Sequence, residues 1–222
     1  KVGTIPLVGG TEEKRKEIVV SICNQLEQVN DGVEIVVLDN ILQSFRCLEQ
    51  FASVKEYIIE ENEMASYIRN LEHRLEKRYM AYAEERSNLS KEPLLVTIVG
   101  GSEEIDYISG ERNLSKLYQT ITGKYGMLKV CFIFADVPNR PIPYSAGEVY
   151  KSIKEKSGFI ALENINNINI TEVPISVAKR FRKKLGQDDG YYITKDGVVK
   201  LKTIIDENIL KSSIVNENSV TV

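Results

Sequence analysis

The 222-residue chain has no tryptophan, a single histidine and three cysteines, and each shortage removes a class of function. His73 stands alone among charged residues of a predicted helix. It offers neither a Ser-His arrangement nor a histidine metal site and reads as a surface residue. Cys23, Cys47 and Cys131 are odd in number, widely separated and outside any metal-ligand spacing. They read as reduced, buried thiols of a cytosolic compartment. No run approaches the roughly 18 apolar residues of a membrane-spanning helix. Lys1-Val2-Gly3 heads straight into a strand rather than a signal sequence, so the chain itself is expected to be soluble. An excess of one charge is also missing. With 29 Lys+Arg against 32 Asp+Glu the net charge is -3, which argues against a dedicated nucleic-acid binder but still permits a local basic stripe.

What is present is an ordinary globular composition, 42% hydrophobic and 27% charged, long enough for one sizeable core. Residues 1–204 read as one domain, and 205–222, where patterning fades, as a C-terminal tail. Short β-rich runs alternate with helix-period segments, the pattern of an α/β protein with a mainly parallel sheet and crossover helices.

Thr4 to Val8 is a first strand, and Gly9-Gly10-Thr11 a tight turn. Thr11 caps a helix with apolar Ile18, Val19, Ile22, Leu26 and Val29, ended by Asp31-Gly32. Strands follow at Val33 to Leu38 and at Glu56 to Ile59, the latter pairing at an edge or starting a hairpin. A helix over 62–85 carries a stripe of Met64, Ile68, Leu71, Leu75, Tyr79 and Tyr82.

Leu94 to Val99, apolar throughout and bounded by Pro93 and Gly100-Gly101, reads as a central strand covered on both faces. Leu114, Leu117, Tyr118 and Ile121 mark a helix closed by Gly123 at C′. Leu128 to Phe134 is the next central strand, Ser145-x-x-Glu148 a capping box, and Phe159 to Leu162 a further strand. Tyr191 to Thr194 and Val198 to Leu201 form a hairpin across Lys195-Asp196-Gly197.

Strand, glycine turn and helix make the geometry in which backbone N–H groups cradle a phosphate. A working GxxxxGK[ST] loop also needs a second glycine, a lysine for the β/γ oxygens and a hydroxyl for Mg²⁺. Counted from Gly9, those three places hold Lys14, Arg15 and Lys16; counted from Gly10, Arg15, Lys16 and Glu17. Neither register supplies the glycine or the hydroxyl. Glu12 and Glu13 also complement the helix dipole and repel a polyphosphate. The segment reads as a capped helix after a βα turn. Gly123-Lys124 follows a helix, the wrong context for a phosphate loop.

The next stretch carries a family resemblance. Leu71-Glu72-His73-Arg74-Leu75-Glu76-Lys77-Arg78-Tyr79, then Pro93-Leu94-Leu95-Val96-Thr97-Ile98-Val99, resembles the charged helix, proline and apolar strand of FtsK/SpoIIIE-type P-loop ATPases. Phe134-Ala135-Asp136-Val137 resembles the family's sensor strand, without its glutamine. Pro141 to Glu148, and Asp189 to Ile193 with Val198 to Lys202, look like closing segments of the type VII secretion branch, EssC and EccC. The likeness covers Ile5 to about Thr203.

This resemblance implies a RecA-like P-loop NTPase fold with a C-terminal β-hairpin. It also implies that the strand-end Asp that organises Mg²⁺ and the Glu that activates water are replaced by Gly100 and Gly101, the degenerate Walker B positions. The expectation is therefore no catalytic residue, no metal and weak or absent ATP binding, with Gly9, Gly10, Thr11, Lys14, Arg15 and Lys16 a vestigial nucleotide loop.

The resemblance further implies a terminal, degenerate ATPase domain of a membrane-anchored secretion motor on the cytoplasmic side of the membrane. It would associate with other ATPase domains of the same chain, touch the membrane only through the rest of the full-length protein, and bind no nucleic acid. In that branch the last domain is associated with secreted WXG-type substrates, whose C-terminal helical signal enters an apolar pocket.

Three readings stay open. The first is a substrate-recognition or regulatory pseudo-ATPase domain. The second is a weak ATPase in which Lys14, Arg15 or Lys16 contacts phosphate and Glu103, Glu104 or Asp106 substitutes for the lost acids, although those acids read more simply as a solvated loop. The third is DNA binding through Lys179, Arg180, Arg182, Lys183 and Lys184, a cluster that reads more simply as a helix end near Gly186.

Overall fold

The computed structural model describes residues 3–29, 32–143, 146–156, 158–170, 173, 175–181, 185–186, 189–194 and 197–202. Its strands are β1 (Thr4–Val8), β2 (Val33–Leu38), β3 (Val54–Ile58), β4 (Leu94–Val99), β5 (Val130–Val137), β6 (Phe159–Ala161), β7 (Asp189–Thr194) and β8 (Gly197–Lys202). They form one sheet in the order β3-β2-β4-β5-β1-β6-β7-β8. Pairing is parallel from β3 through β6 and antiparallel from β6 to β8, so the hairpin closes one edge.

The helices are α1 (Glu12–Val29), α2 (Glu61–Glu84), α3 (Asn88–Lys91), α4 (Ser102–Gly110), α5 (Arg112–Gly123), α6 (Glu148–Lys156) and α7 (Ile175–Arg180). Parallel strands need crossovers, and these place helices on both faces. One core layer packs α2, α4, α5 and α6 on the sheet, through Ile68, Leu75, Ile105, Tyr118 and Ile153. The other packs α1 and the 45–51 segment, through Val19, Cys23, Phe45 and Leu48. Each fully buried side chain of this kind contributes about 1.5–3 kcal/mol. β4 and β5 are buried on both faces, as continuous apolar strands require. Thr97, the polar exception in β4, bonds the Tyr67 hydroxyl at 2.7 Å.

The α2 stripe holds at Met64, Ile68, Leu71 and Leu75, passes to buried Arg78 instead of Tyr79, and returns at partly buried Tyr82. Tyr79 turns outward against Tyr125 at 5.8 Å. Arg78 donates to Leu128 O at 2.8 Å and Pro93 O at 3.1 Å, and its guanidinium lies 2.9 Å from Glu92. It thus ties together the segments that enter β4 and β5.

Other expectations shift. For the strand at 56–59 the edge alternative holds and the hairpin one does not: β3 is a parallel edge strand beside β2. β5 runs on to Val137. Gly123 lies inside α5 and Lys124 continues in the right-handed helical region, so Gly123 is not a left-handed C′ cap. α7 stops at Arg180, well short of Gly186. Asp31, Ser145, Lys195-Asp196 and the tail fall outside the described residues. Among the described residues no helix is long and apolar enough to cross a membrane.

Candidate functional site

Because β2, β4, β5, β1 and β6 are adjacent and parallel, their carboxyl ends form one rim, where open α/β sheets place their crevice. Register matches Leu38 with Val99, Val99 with Phe134, Val8 with Val137, and Val8 with Ala161. The residues that follow these strands or end them, Asp39, Gly100, Asp136, Gly9 and Glu163, therefore line up. The sequence singled out Gly9-Gly10, Gly100-Gly101 and the segment with Asp136; the fold adds the carboxylates of Asp39 after β2 and Glu163 after β6.

The glycine loop turns through two left-handed residues, Gly9 at φ 72° and Gly10 at φ 75°, which explains the residue type at both. A Cβ on Gly9 would lie 2.6 Å from Glu163 Oε1, and one on Gly10 2.7 Å from Leu162 Cβ. The segment after β6 thus rests directly on the loop. Asn139 Nδ2 donates to Glu163 Oε2 at 3.1 Å and to Asn167 O at 2.8 Å, which holds the carboxylate in place.

From the other side Arg15 folds back, donating to Gly10 O at 2.8 Å and Gly9 O at 3.4 Å, with Asp136 at 3.2 Å. Asp136 reaches it because the β1–β5 register slips between Pro6 and Val8, a bulge that re-aims the strand end. Burial pushes the Asp136 carboxyl up, against the pull of Arg15 and with Glu12 adding to the rise.

Lys14 donates to Asp189 O at 2.7 Å, binding the loop helix to the terminal hairpin, and its own N–H is capped by Thr11 Oγ1 at 3.3 Å. Lys16 lies half-buried one residue after Arg15. Glu13 is held below the usual carboxylate range by its own backbone N–H and by the Thr11 hydroxyl.

At the end of β4, Gly100 N donates to Leu38 O at 2.8 Å. A Cβ on Gly100 would lie 2.8 Å from Asp39 Oδ1, and one on Gly101 2.8 Å from Glu104 Oε2. Carboxyl groups from β2 and α4 fill the space where side chains at 100 and 101 would start. Asp39 is buried and accepts from Asn40 N at 2.9 Å, Phe45 N at 2.8 Å and the Tyr57 hydroxyl. Burial first, then this bond to Asp39, pushes the Tyr57 phenol up.

The acids after β4 are on a helix and not in a loop; Glu103 and Asp106 are exposed as expected, and Glu104 is not. Glu103, Glu104 and Asp106 sit on α4, and Glu104 is buried with Oε2 lacking a hydrogen-bond partner. Burial raises its pKa, Gly101 N–H and its own N–H oppose the rise, and nearby Asp39 adds to it. Asp106 accepts from Tyr150 at 2.8 Å. No group of three or more His, Cys, Asp or Glu side chains among the described residues is placed to hold a metal ion.

Beyond β5 the rim opens into a cavity of about 390 Å³ between α4 and the start of α6. Its walls are Pro138, Pro141, Ile142, Pro143, Ala146 and Tyr150, with Asp106 and Arg140 as its charged groups. A Cβ on Gly147 would fall 1.9 Å from Ser109 Oγ, so a glycine is what lets α6 start this close to α4. Of the basic cluster, Lys179 and Arg180 end α7, while 182–184 lie outside the described residues. His73 is exposed and pairs with Glu76 at 3.7 Å. Cys23 and Cys131 are buried and Cys47 is partly so; burial pushes the first two thiols up to about 12.

No protein-family model matches the chain, and no curated protein matches it. Solved structures do. The cytoplasmic domain of EssC aligns with TM-score 0.72 at 14% identity, over 91% of this chain and 39% of that one. EssC ATPases 2 and 3 from Geobacillus thermodenitrificans align with TM-score 0.71 at 15% identity, over 92% and 37%. Thermomonospora curvata EccC ATPases 2 and 3, in complex with a signal sequence peptide, align with TM-score 0.65 at 16% identity, over 92% and 37%. The fold is that of the EssC and EccC ATPase domains, and the chain spans less than half the length of these structures.

Proposed function

We propose that this is a degenerate ATPase domain of a type VII secretion motor, acting in substrate recognition or regulation of protein export and not in ATP turnover. The carrying observation is the glycine loop closed from within: Arg15 takes the Gly9 and Gly10 carbonyls, Glu163 lies over Gly9, and Leu162 over Gly10. A phosphate cradle needs free backbone donors facing an open space and a metal beside it. Here a carboxylate and a leucine stand over the turn. At the metal end, Gly100 and Gly101 offer no ligand, and Asp39 already accepts three hydrogen bonds.

Binding is the role left to such a domain. The cavity beyond β5 is walled by three prolines, Ile142 and Ala146, the lining an amphipathic helix requires. The EccC structure bound to a signal sequence peptide supports a similar ligand here: the helical signal of a secreted WXG-type protein. The domain would work on the cytoplasmic side of the membrane, joined to further ATPase domains of a longer protein.

Two measurements test this reading. Purified domain should release no phosphate from Mg-ATP above a no-protein control, and turnover abolished by Arg15→Ala would sink the claim. Secreted candidates should be captured by the wild type and lost with Ala146→Trp, which fills the cavity. Capture unchanged in that variant moves the site elsewhere.

A further inference from the structure

The carboxyl rim of the sheet carries an acidic apolar knob at one end and a basic apolar groove at the other, and we infer that two copies of the chain pair rim to rim through them. Among the described residues the most exposed large aliphatic side chains are Ile41 and Leu42, at 85% and 80%, neighbours on the turn after β2. The turn is built to hold its shape. Asp39 accepts from Asn40 N and Phe45 N on either side of it, Asn40 Oδ1 accepts from Leu42 N at 2.9 Å, and Gln43 closes it at φ 52°. Aliphatic groups on a backbone already ordered lose little freedom on binding. Exposed acids flank them: Glu60, Glu61 and Glu63 after β3, and Glu103 after β4, the two strands beside β2.

Beyond β6 the chain forms a groove of about 820 Å³. Its floor is Ile165, Ile168, Ile170 and Val173, and its charged lining residue is Lys154. Ala178 lines it from α7, whose last turn carries Lys179 and Arg180, and Ile175 one turn earlier is 74% exposed. β2 and β6 lie four strand positions apart, roughly 19 Å, so the turn cannot reach the groove of its own molecule. A half-turn about an axis midway between them sets each turn on the groove of the other copy. Both contacts then form at once, each acidic end meets a basic end, and the assembly closes at two copies. The same acids disfavour an anionic membrane or a nucleic acid as the occupant.

Sedimentation velocity of the whole domain over rising concentration tests the pairing. The expected result is a monomer–dimer equilibrium that stops at two copies and weakens at high salt. Leu42→Asp, at an exposed position, should weaken the dimer by at least about tenfold without moving the melting temperature. Ala178→Trp, which fills the groove, should weaken it as well. Glu61→Lys and Lys154→Glu should each do so through charge, and the double variant Glu61→Lys/Lys154→Glu, in which opposite charges meet again, should recover it.

A monomer at every concentration, or a dimer untouched by Leu42→Asp, overturns the pairing. Growth beyond two copies overturns it too, because the contact is then head-to-tail and not closed. Binding of the wild type but not of Leu42→Asp to phosphatidylcholine vesicles gives the turn to a membrane instead of a second copy, and likewise overturns it.

Discussion

Arg15 and Asp136 form a 3.2 Å ion pair across the carboxyl rim of the sheet, and the same guanidinium donates to the carbonyl of Gly10 at 2.8 Å. One side chain thereby locks the first βα turn to the end of β5. Arg15→Ala leaves a half-buried carboxylate and two loop carbonyls without this donor, and urea denaturation should register a loss of about 1–3 kcal/mol. Arg15→Lys should recover only part of it, because a point charge cannot replace the fork that reaches both partners.

Glu104 makes stability depend on pH. Its folded pKa is raised from the ordinary 4.5, chiefly by burial. The proton is thus bound more tightly in the folded state than in the unfolded one. The stability this gives is fully present below 4.5 and is lost as pH rises through the higher folded value. Glu104→Gln keeps an acceptor for the Gly101 N–H but carries no charge. Relative to wild type, its stability should gain as pH rises from 4.5 through the folded value and level off above it in parallel denaturant titrations. A constant gap across that range would contradict the assignment.

Placing an acid at the end of β4 should not create an active site. A side chain at 100 starts 2.8 Å from Asp39 Oδ1, so Gly100→Asp forces a second carboxylate against a buried one. The expected result is a loss of about 3 kcal/mol or more, the scale of an uncompensated buried charge, with no gain in phosphate release. A stable variant that hydrolyses Mg-ATP would show that the metal end is intact.

Arg78 should be among the most sensitive positions of the core. Buried on α2, it serves Pro93 O, Leu128 O and Glu92 at the opposite rim from the site. Arg78→Met removes the buried donor that these groups share, and chemical denaturation should show a loss of about 3–5 kcal/mol. Peptide binding by the folded fraction should be unchanged, which separates this structural role from recognition.

The sequence carried the alternation of strands and helices because apolar runs and helical stripes are local signals. β4 was legible from six apolar residues between Pro93 and Gly100. The glycine turn and the two glycines that end β4 were legible too, since both are matters of residue type at fixed spacing. Arg78 was not, because it continues a stripe whose next positions by spacing are Tyr79 and Tyr82, and its partners lie in other segments. Asp39, Glu163 and the burial of Glu104 escaped for the same reason: they meet Gly100, Gly9 and Gly101 only through the order of strands in the sheet. One signal was available. Asp39 directly follows the apolar run Val33 to Leu38, where a carboxylate falls on the carboxyl rim.

The most direct test of the account is the thermal unfolding of wild-type domain with and without excess Mg-ATP, beside Arg15→Ala. A ligand present at 100 times its Kd stabilises the folded state by about 2.7 kcal/mol, a shift of several degrees for a domain of this size. With Arg15, Glu163 and Leu162 closing the glycine loop, the wild type should melt at the same temperature with nucleotide as without. A rise of several degrees in the wild type that disappears in Arg15→Ala would mean the loop still holds a nucleotide, and would contradict the account.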